Sequence, residues 1–501
     1  MSRRAAAFLT LVTLLGSCGS GDDPTLGGAG AAAAGPTTSP GPTDPAAPAD
    51  APAGSLGGFT PAPVAWEDCG DGMECASMAV PLDYDDAAGP SIELALLRIP
   101  AREPDQRIGT LLTNPGGPGA TGLDFALLAP FSGEVLDRFD LVGFDPRGVG
   151  DSTGITCAAD PEPLLGLDSS PDTADEQTAL DAAATTLAAG CAAADGDLLA
   201  HVGTDDVARD LEAIRLALGG EPLNYVGFSY GTFIGLRYAE LFPTGARAIV
   251  LDGVVDPTHA LPDLLRGQTV AVEAVMADVF AACAGGDAGC PEGGAEAAYD
   301  RVAAAVETAP LPAGDEEVGP SELATAAIYA TYDPNLWSSF HRALAAADEG
   351  DGAGLRSLAL GYRGFGGFGS YQAVSCLDSV HPVGGAAWAV FADELAELSP
   401  RFGEHMANEM VSCAFWPVAA EPINAPVVAE GAPPIVVVGT TGDAATPVEQ
   451  AERVAATLAD GHLVVSEGEG HTAYLSDECV ADLVDAYLID LALPPPGARC
   501  T

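Results

Sequence analysis

Lysine is absent from this 501-residue sequence, and its 19 basic residues, all arginine, stand against 72 aspartates and glutamates for a formal net charge of −53. A surface so poor in positive charge repels phosphate backbones and anionic headgroups, which excludes nucleic acid and anionic lipid as partners held by charge. Long apolar runs are missing as well. The candidate nearest the N-terminus, residues 5–15, is too short for a typical membrane span. Histidine is scarce, with seven copies, so any chemistry that needs an imidazole has few places to find one. The eleven cysteines show no spacing that suits a zinc site.

What is present begins with a targeting pattern. Arg3 and Arg4 precede the apolar stretch 5–15, and the segment ends in Leu15-Gly16-Ser17-Cys18, which resembles the lipobox of bacterial lipoproteins. Residues 1–18 are therefore expected to be a signal peptide, with Cys18 as the lipidation site and a lipid anchor as the only attachment to a membrane. The alternative is an ordinary secretory signal. Residues 19–60, rich in Gly, Ala, Pro, Ser and Thr, hold too little apolar surface to fold and are expected to form a flexible tether. With Cys18 set aside, ten cysteines remain at 69, 75, 157, 191, 283, 290, 376, 413, 479 and 500. An even number in an exported chain suggests disulfides, and five sequential pairs would each close a fairly short loop.

From about Trp66 apolar runs alternate with helical patterns, as a mostly parallel sheet covered by helices requires. Strands are expected at 92–99, 110–113, 139–144, 223–227, 246–251, 434–439 and 462–465. Helices are expected at 204–218, from Tyr230 through Leu241, at 447–458 and at 477–491. The alternation divides the body into a first part, 61–255, and a second, 429–501. Between them residues 256–428 read as a mostly helical, alanine-rich inserted cap with a glycine-rich loop at 361–369.

Gly227-Phe228-Ser229-Tyr230-Gly231 is a G-x-S-x-G segment between an expected strand and an expected helix. That setting forms a sharp turn in which small flanking residues let backbones pass and the serine hydroxyl stands exposed. A serine needs a base held by a carboxylate to act as a nucleophile. His471, in the loop Gly468-Glu469-Gly470-His471-Thr472 between the last strand and last helix, is the candidate base, while His462 reads as structural. Asp443 follows a strand and precedes the histidine, which makes it the candidate acid; Asp252 and Asp256, after the preceding strand, compete with it. Asn114-Pro115-Gly116-Gly117-Pro118-Gly119 is a glycine-rich turn that could aim an amide at developing negative charge, so Gly117 and Tyr230 are the candidate oxyanion donors. Arg147 and Asp145 read as braces of another turn. Asp378, close to Cys376, is the candidate acceptor for a substrate ammonium, with helix capping as its alternative.

VPLDY at Val80, NPGGPG at Asn114, DPRGVGDS at Asp145, GFSYGT at Gly227, LDGVVDP at Leu251, GTTGDAATP at Gly439 and GEGHTAY at Gly468 occur in this order. Together they resemble the secreted tripeptidyl aminopeptidases, relatives of the prolyl aminopeptidases within the α/β-hydrolases. The resemblance implies an α/β-hydrolase fold with a large helical cap, Ser229, Asp443 and His471 as a triad, Gly117 and Tyr230 as the oxyanion hole, and release of short peptides from free N-termini. No cofactor or metal is required by that chemistry. An esterase or lipase using the same triad, or a binding lipoprotein that keeps only the fold, are the alternatives.

Overall fold

The computed structural model describes residues 54–283 and 289–501. The signal peptide, Cys18 and most of the expected tether lie outside these residues. The tether ends earlier than residue 60. Leu56 is buried, the Phe59 amide donates to the Leu56 carbonyl at 2.8 Å, and the Phe59 ring meets Tyr84 edge-on at 6.3 Å. Two apolar side chains are enough to fasten the start of the body.

Twelve strands are formed in chain order: β1 (Glu67–Gly70), β2 (Met73–Pro81), β3 (Ser91–Ile99), β4 (Gly109–Asn114), β5 (Phe139–Phe144), β6 (Leu223–Phe228), β7 (Ala246–Asp252), β8 (Leu311–Ala313), β9 (Glu316–Val318), β10 (Ile435–Gly442), β11 (Gly461–Glu469) and β12 (Ala498–Cys500). Ten of them make one sheet in the order β1-β2-β3-β5-β4-β6-β7-β10-β11-β12, parallel from β5 to β12 and antiparallel at the β1–β3 end; β8 and β9 form a hairpin of their own. Every residue of β6 is buried. Such central strands are covered on both faces, which is why they appear in sequence as unbroken apolar runs rather than alternating ones.

Alternate side chains of β6 and β10 feed two apolar cores, one per face. Leu223, Tyr225, Ile435 and Val437 join one core with the helices Thr204–Ala217, Tyr230–Leu241 and Val448–Thr457. Val226, Phe228, Val436 and Val438 join the other with Val135 and Leu136 of helix Gly133–Arg138 and Val480, Val484 and Leu488 of helix Glu478–Asp490. The sheet therefore could not slip by one residue without exchanging the two cores.

Between β7 and β10 the chain builds the cap, with helices that include Leu261–Ala282, Pro320–Ala330, Trp337–Asp348, Ala353–Arg363, Phe368–Asp378 and Gly385–Leu398. All five sequential disulfides are formed: Cys69–Cys75, Cys157–Cys191, Cys283–Cys290, Cys376–Cys413 and Cys479–Cys500. The last holds β12 near the start of helix Glu478–Asp490. Strands β1, β2 and β12 and the long helix Ala174–Asp195 carry no clear periodic signal in the sequence. The helix starts at a capping box in which Thr173 and Glu176 serve each other's backbone amides, while β12 is a three-residue edge secured by its disulfide. No helix among the described residues is long and apolar enough to cross a membrane.

Candidate active site

Ser229 sits between β6 and helix Tyr230–Leu241 with φ 53° and ψ −126°, a conformation that a side-chain-bearing residue adopts only at a cost. Its neighbours explain how the turn closes. A Cβ on Gly227 would lie 2.3 Å from the Gly231 carbonyl oxygen, and one on Gly231 would lie 2.5 Å from the Asn114 carbonyl oxygen. The two glycines of the G-x-S-x-G segment are thus required by close backbone passage. The Ser229 amide donates to the Asp252 carbonyl at 2.9 Å, which ties the turn to the end of β7.

The glycine-rich turn after β4 presses against this serine. A Cβ on Gly116 would stand 2.8 Å from Ser229 Cβ and 3.0 Å from the Tyr230 amide nitrogen. Gly117 follows at φ 107°. Tyr230 opens its helix, so no carbonyl of that helix can accept from its amide. The two candidate oxyanion donors are therefore carried by segments in van der Waals contact beside the serine.

On the far side, after β10 and β11, His471 Nδ1 donates to the Asp443 carboxylate at 2.8 Å to Oδ2 and 3.0 Å to Oδ1. Asp443 is 2 % exposed. Its Oδ1 also accepts from the amides of Ala445 and Thr446, and its Oδ2 from the Thr446 hydroxyl. These bonds fix the carboxylate, which in turn fixes the ring. Burial lowers the His471 pKa, but the charge and hydrogen bond of Asp443, with Asp252 behind it, outweigh burial and hold it above the ordinary value of 6.5. Nε2, the ring's other nitrogen, is buried and makes no hydrogen bond among the described residues. No hydrogen bond joins it to Ser229 in this geometry; such contacts commonly tighten only when substrate is bound.

The rival acids have other tasks. Asp252 is fully buried and accepts from the amides of Ala473 and Tyr474 at 2.8–3.1 Å, holding the loop that follows His471. Burial raises its pKa to about 6, against the pull of those amides and of His471. Asp256 pairs with Arg453 at 2.7 Å. Arg147 braces as expected: it is fully buried, bonds both oxygens of Asp210 at 2.7 Å, and donates to the carbonyls of Pro81, Leu82 and His201. Asp145 accepts from the amides of Leu123 and Asp151. His462 bonds Asp460 at the edge of β11. Thr446, which touches both Asp443 Oδ2 and, at 3.3 Å, His471 Nδ1, was not singled out in sequence. Its signal was its place three residues after Asp443 in the same motif.

Asp378 is a correction. The carboxylate is buried and accepts from the Thr204 amide at 3.1 Å and from the Thr204 hydroxyl at 2.5 Å, capping helix Thr204–Ala217. The first amides of a helix lack partners and favour an anion, so this carboxylate satisfies its own fold rather than a ligand. Burial still raises its pKa to about 7. Thr204 also meets the Tyr230 hydroxyl at 2.7 Å, so the cap helps to brace the helix that carries the serine.

The glycine-rich stretch 361–369 has a place in this arrangement. The Gly367 amide donates to the Gly119 carbonyl at 3.1 Å, and a Cβ on Gly366 would lie 2.6 Å from the carbonyl carbon of Gly119. Its glycines let the cap backbone lie directly on the turn beside Ser229. A cavity of about 1070 Å³ opens at the loop of His471, between Tyr329, Tyr332, Phe365 and Leu475, with Asp333, Glu469 and Glu478 on its walls. Ser229 is not among its lining residues.

A parallel sheet whose strand ends carry a serine on a strained turn, an acid and a histidine, in that chain order, defines the α/β-hydrolase class of serine hydrolases. Residues 109–289 match the alpha/beta hydrolase fold family and residues 399–500 match the TAP-like protein family. The chain is 36% identical over 477 residues to serine protease Hip1 of Mycobacterium tuberculosis, covering 87% of this chain and 91% of that protein. Carboxylesterase B of the same organism is 35% identical over 455 residues, covering 85% and 86%, and the tripeptidyl aminopeptidase of Streptomyces lividans is 32% identical over 461 residues, covering 85% and 84%. The chain belongs to the TAP-like family of α/β-hydrolases.

Proposed function

We propose that this chain is an exported serine exopeptidase that releases short peptides, tripeptides by preference, from free N-termini. Ser229 attacks the scissile carbonyl, His471 takes its proton and returns it to the leaving amine, and Asp443 orients the imidazole; Gly117 and Tyr230 donate to the oxyanion. The observation that carries the reading is the His471–Asp443 pair with a free Nε2, set across from a serine on a strained, glycine-flanked turn. Relatives named as a serine protease and a tripeptidyl aminopeptidase support the substrate class. Export is supported by the signal-like N-terminus and five disulfides, with Cys18 as the lipid anchor.

A relative named as a carboxylesterase favours a second reading, ester hydrolysis by the same residues. The deciding experiment sets aminoacyl, dipeptidyl and tripeptidyl p-nitroanilides beside simple p-nitrophenyl esters, with Ser229→Ala as control. The proposal expects tripeptidyl anilides to be the best substrates and S229A to lose several powers of ten in kcat. Ester turnover without anilide turnover would establish the second reading. Failure of a fluorophosphonate to label Ser229 would reduce the chain to a binding lipoprotein.

A further inference from the structure

Glu409 is a carboxylate that neither the fold nor the proposed chemistry uses. It follows the short helix Gly403–Asn408 of the cap and is only partly exposed. The Tyr362 hydroxyl reaches it at a long 3.5 Å, and it has no ion-pair partner among the described residues. Arg363, whose charge acts on it, is occupied elsewhere: it donates to the Leu165 carbonyl at 2.7 Å and lies 3.4 Å from Glu322. Burial raises the Glu409 pKa to about 7, while Tyr362 and Arg363 pull the other way. A carboxylate left so poorly compensated gains strongly from an arriving cation.

Its surroundings lead back to the candidate triad by two routes. Along one, the Tyr362 ring packs edge-on against Tyr332 at 5.8 Å, and Tyr332 packs edge-on against His471 at 5.3 Å while its carbonyl accepts from the His471 amide. Along the other, Gln372 of helix Phe368–Asp378 donates to the Glu409 carbonyl, and the start of that helix lies on Gly119, beyond the turn that touches Ser229. Tyr371 on the same helix also lies within the electrostatic reach of Glu409. Tyr332, Tyr362, Tyr371 and Glu409 are all partly exposed, so they line space rather than fill core. Tyrosine rings around a carboxylate suit an ammonium, which gains from π-faces as well as from the anion.

We infer that Glu409, with Tyr332, Tyr362 and Tyr371 about it, is the subsite that receives the α-ammonium of the peptide whose scissile carbonyl lies at Ser229. The inference rests on the exopeptidase reading above and adds to it the residue that enforces a free N-terminus. It also supplies the acceptor that Asp378, committed to Thr204, does not.

The test compares wild type, E409Q and E409D on one tripeptidyl p-nitroanilide with a free amine, the same compound N-acetylated, and p-nitrophenyl acetate. Wild type is expected to prefer the free amine. E409Q is expected to lose about 10- to 100-fold in kcat/KM on it, chiefly through KM, and E409D to recover part of the loss. The acetylated anilide should change little, so the preference collapses. The acetate ester, with no amine to seat, reports whether each variant is folded; equal losses on all three substrates would make Glu409 a structural residue and overturn the inference. A free-amine preference that survives in E409Q with normal ester turnover would overturn it while leaving the exopeptidase reading intact. Equal cleavage of blocked and free anilides by wild type would overturn both. Collapse of the preference only for substrates with Lys or Arg before the scissile bond would refute the α-ammonium in favour of a side-chain cation.

Discussion

Replacing Asp443 by asparagine changes one atom and sets every hydrogen bond around it in conflict. All groups that approach this side chain are donors: the amides of Ala445 and Thr446 at Oδ1, the Thr446 hydroxyl at Oδ2, and His471 Nδ1 at both. An asparagine keeps its carbonyl toward the two amides, which cannot turn, and so presents its NH₂ to the imidazole. His471 then places its proton on Nε2 and can no longer accept one from Ser229. The Asp→Asn change in the Ser-His-Asp template costs about 10⁴ in kcat by this wrong-tautomer effect, or about 5.4 kcal/mol at 1.36 kcal/mol per factor of ten. The folding cost is small by comparison, about 1 kcal/mol, because the Thr446 hydroxyl can rotate and accept. The assay is kcat on the preferred anilide and on p-nitrophenyl acetate, with thermal unfolding alongside. A loss under tenfold in a folded D443N protein, with a far larger loss in Asp252→Asn, would refute the argument and return the acid's role to Asp252.

Three further outcomes follow from the same geometry. The raised His471 pKa means that activity, which needs the neutral ring, is full at alkaline pH and falls as pH drops through a value above 6.5; a pH profile of kcat/KM whose acid limb lies below 6 would contradict the Asp443 pairing. Arg147→Leu strands the buried Asp210 carboxylate and should cost about 3–5 kcal/mol in denaturant unfolding, so a loss under 1 kcal/mol would show that the turn does not depend on this brace. Gly231→Ala sets a methyl 2.5 Å from the Asn114 carbonyl oxygen and should abolish ester turnover or soluble yield, whereas near-normal activity and stability would mean that the two loops can part without harm.

Much of this site is legible in one dimension because the constraints on it are local. A strand that ends in Gly-Phe-Ser-Tyr-Gly and continues as a helix has few ways to turn, and the backbone passages at Gly227 and Gly231 demand the absence of a side chain. The chain order of serine, acid and histidine, each just after a buried apolar run, follows from which ends of parallel strands share one edge of the sheet. The disulfides join cysteines that are neighbours in sequence, so their pairing too needed only short-range order. Asp378 and Glu409 could not be assigned in this way. Both are cap acids near a cysteine, and nothing local distinguishes one from the other. Only the packing of Thr204 under Asp378, and of Tyr332, Tyr362 and Tyr371 around Glu409, consumes the charge of the first and leaves that of the second exposed to a ligand. Likewise Asp443 and Asp252 both follow strands, and the choice between them fell to a contact made 28 residues along the chain from Asp443 to His471. Sequence by itself determined the sheet, the turn and the types of group at its edge, because backbone geometry and apolar periodicity act over a few residues; the tertiary structure alone decided which carboxylate meets which donor, because hydrogen bonds and desolvation depend on groups that the chain brings together from far apart.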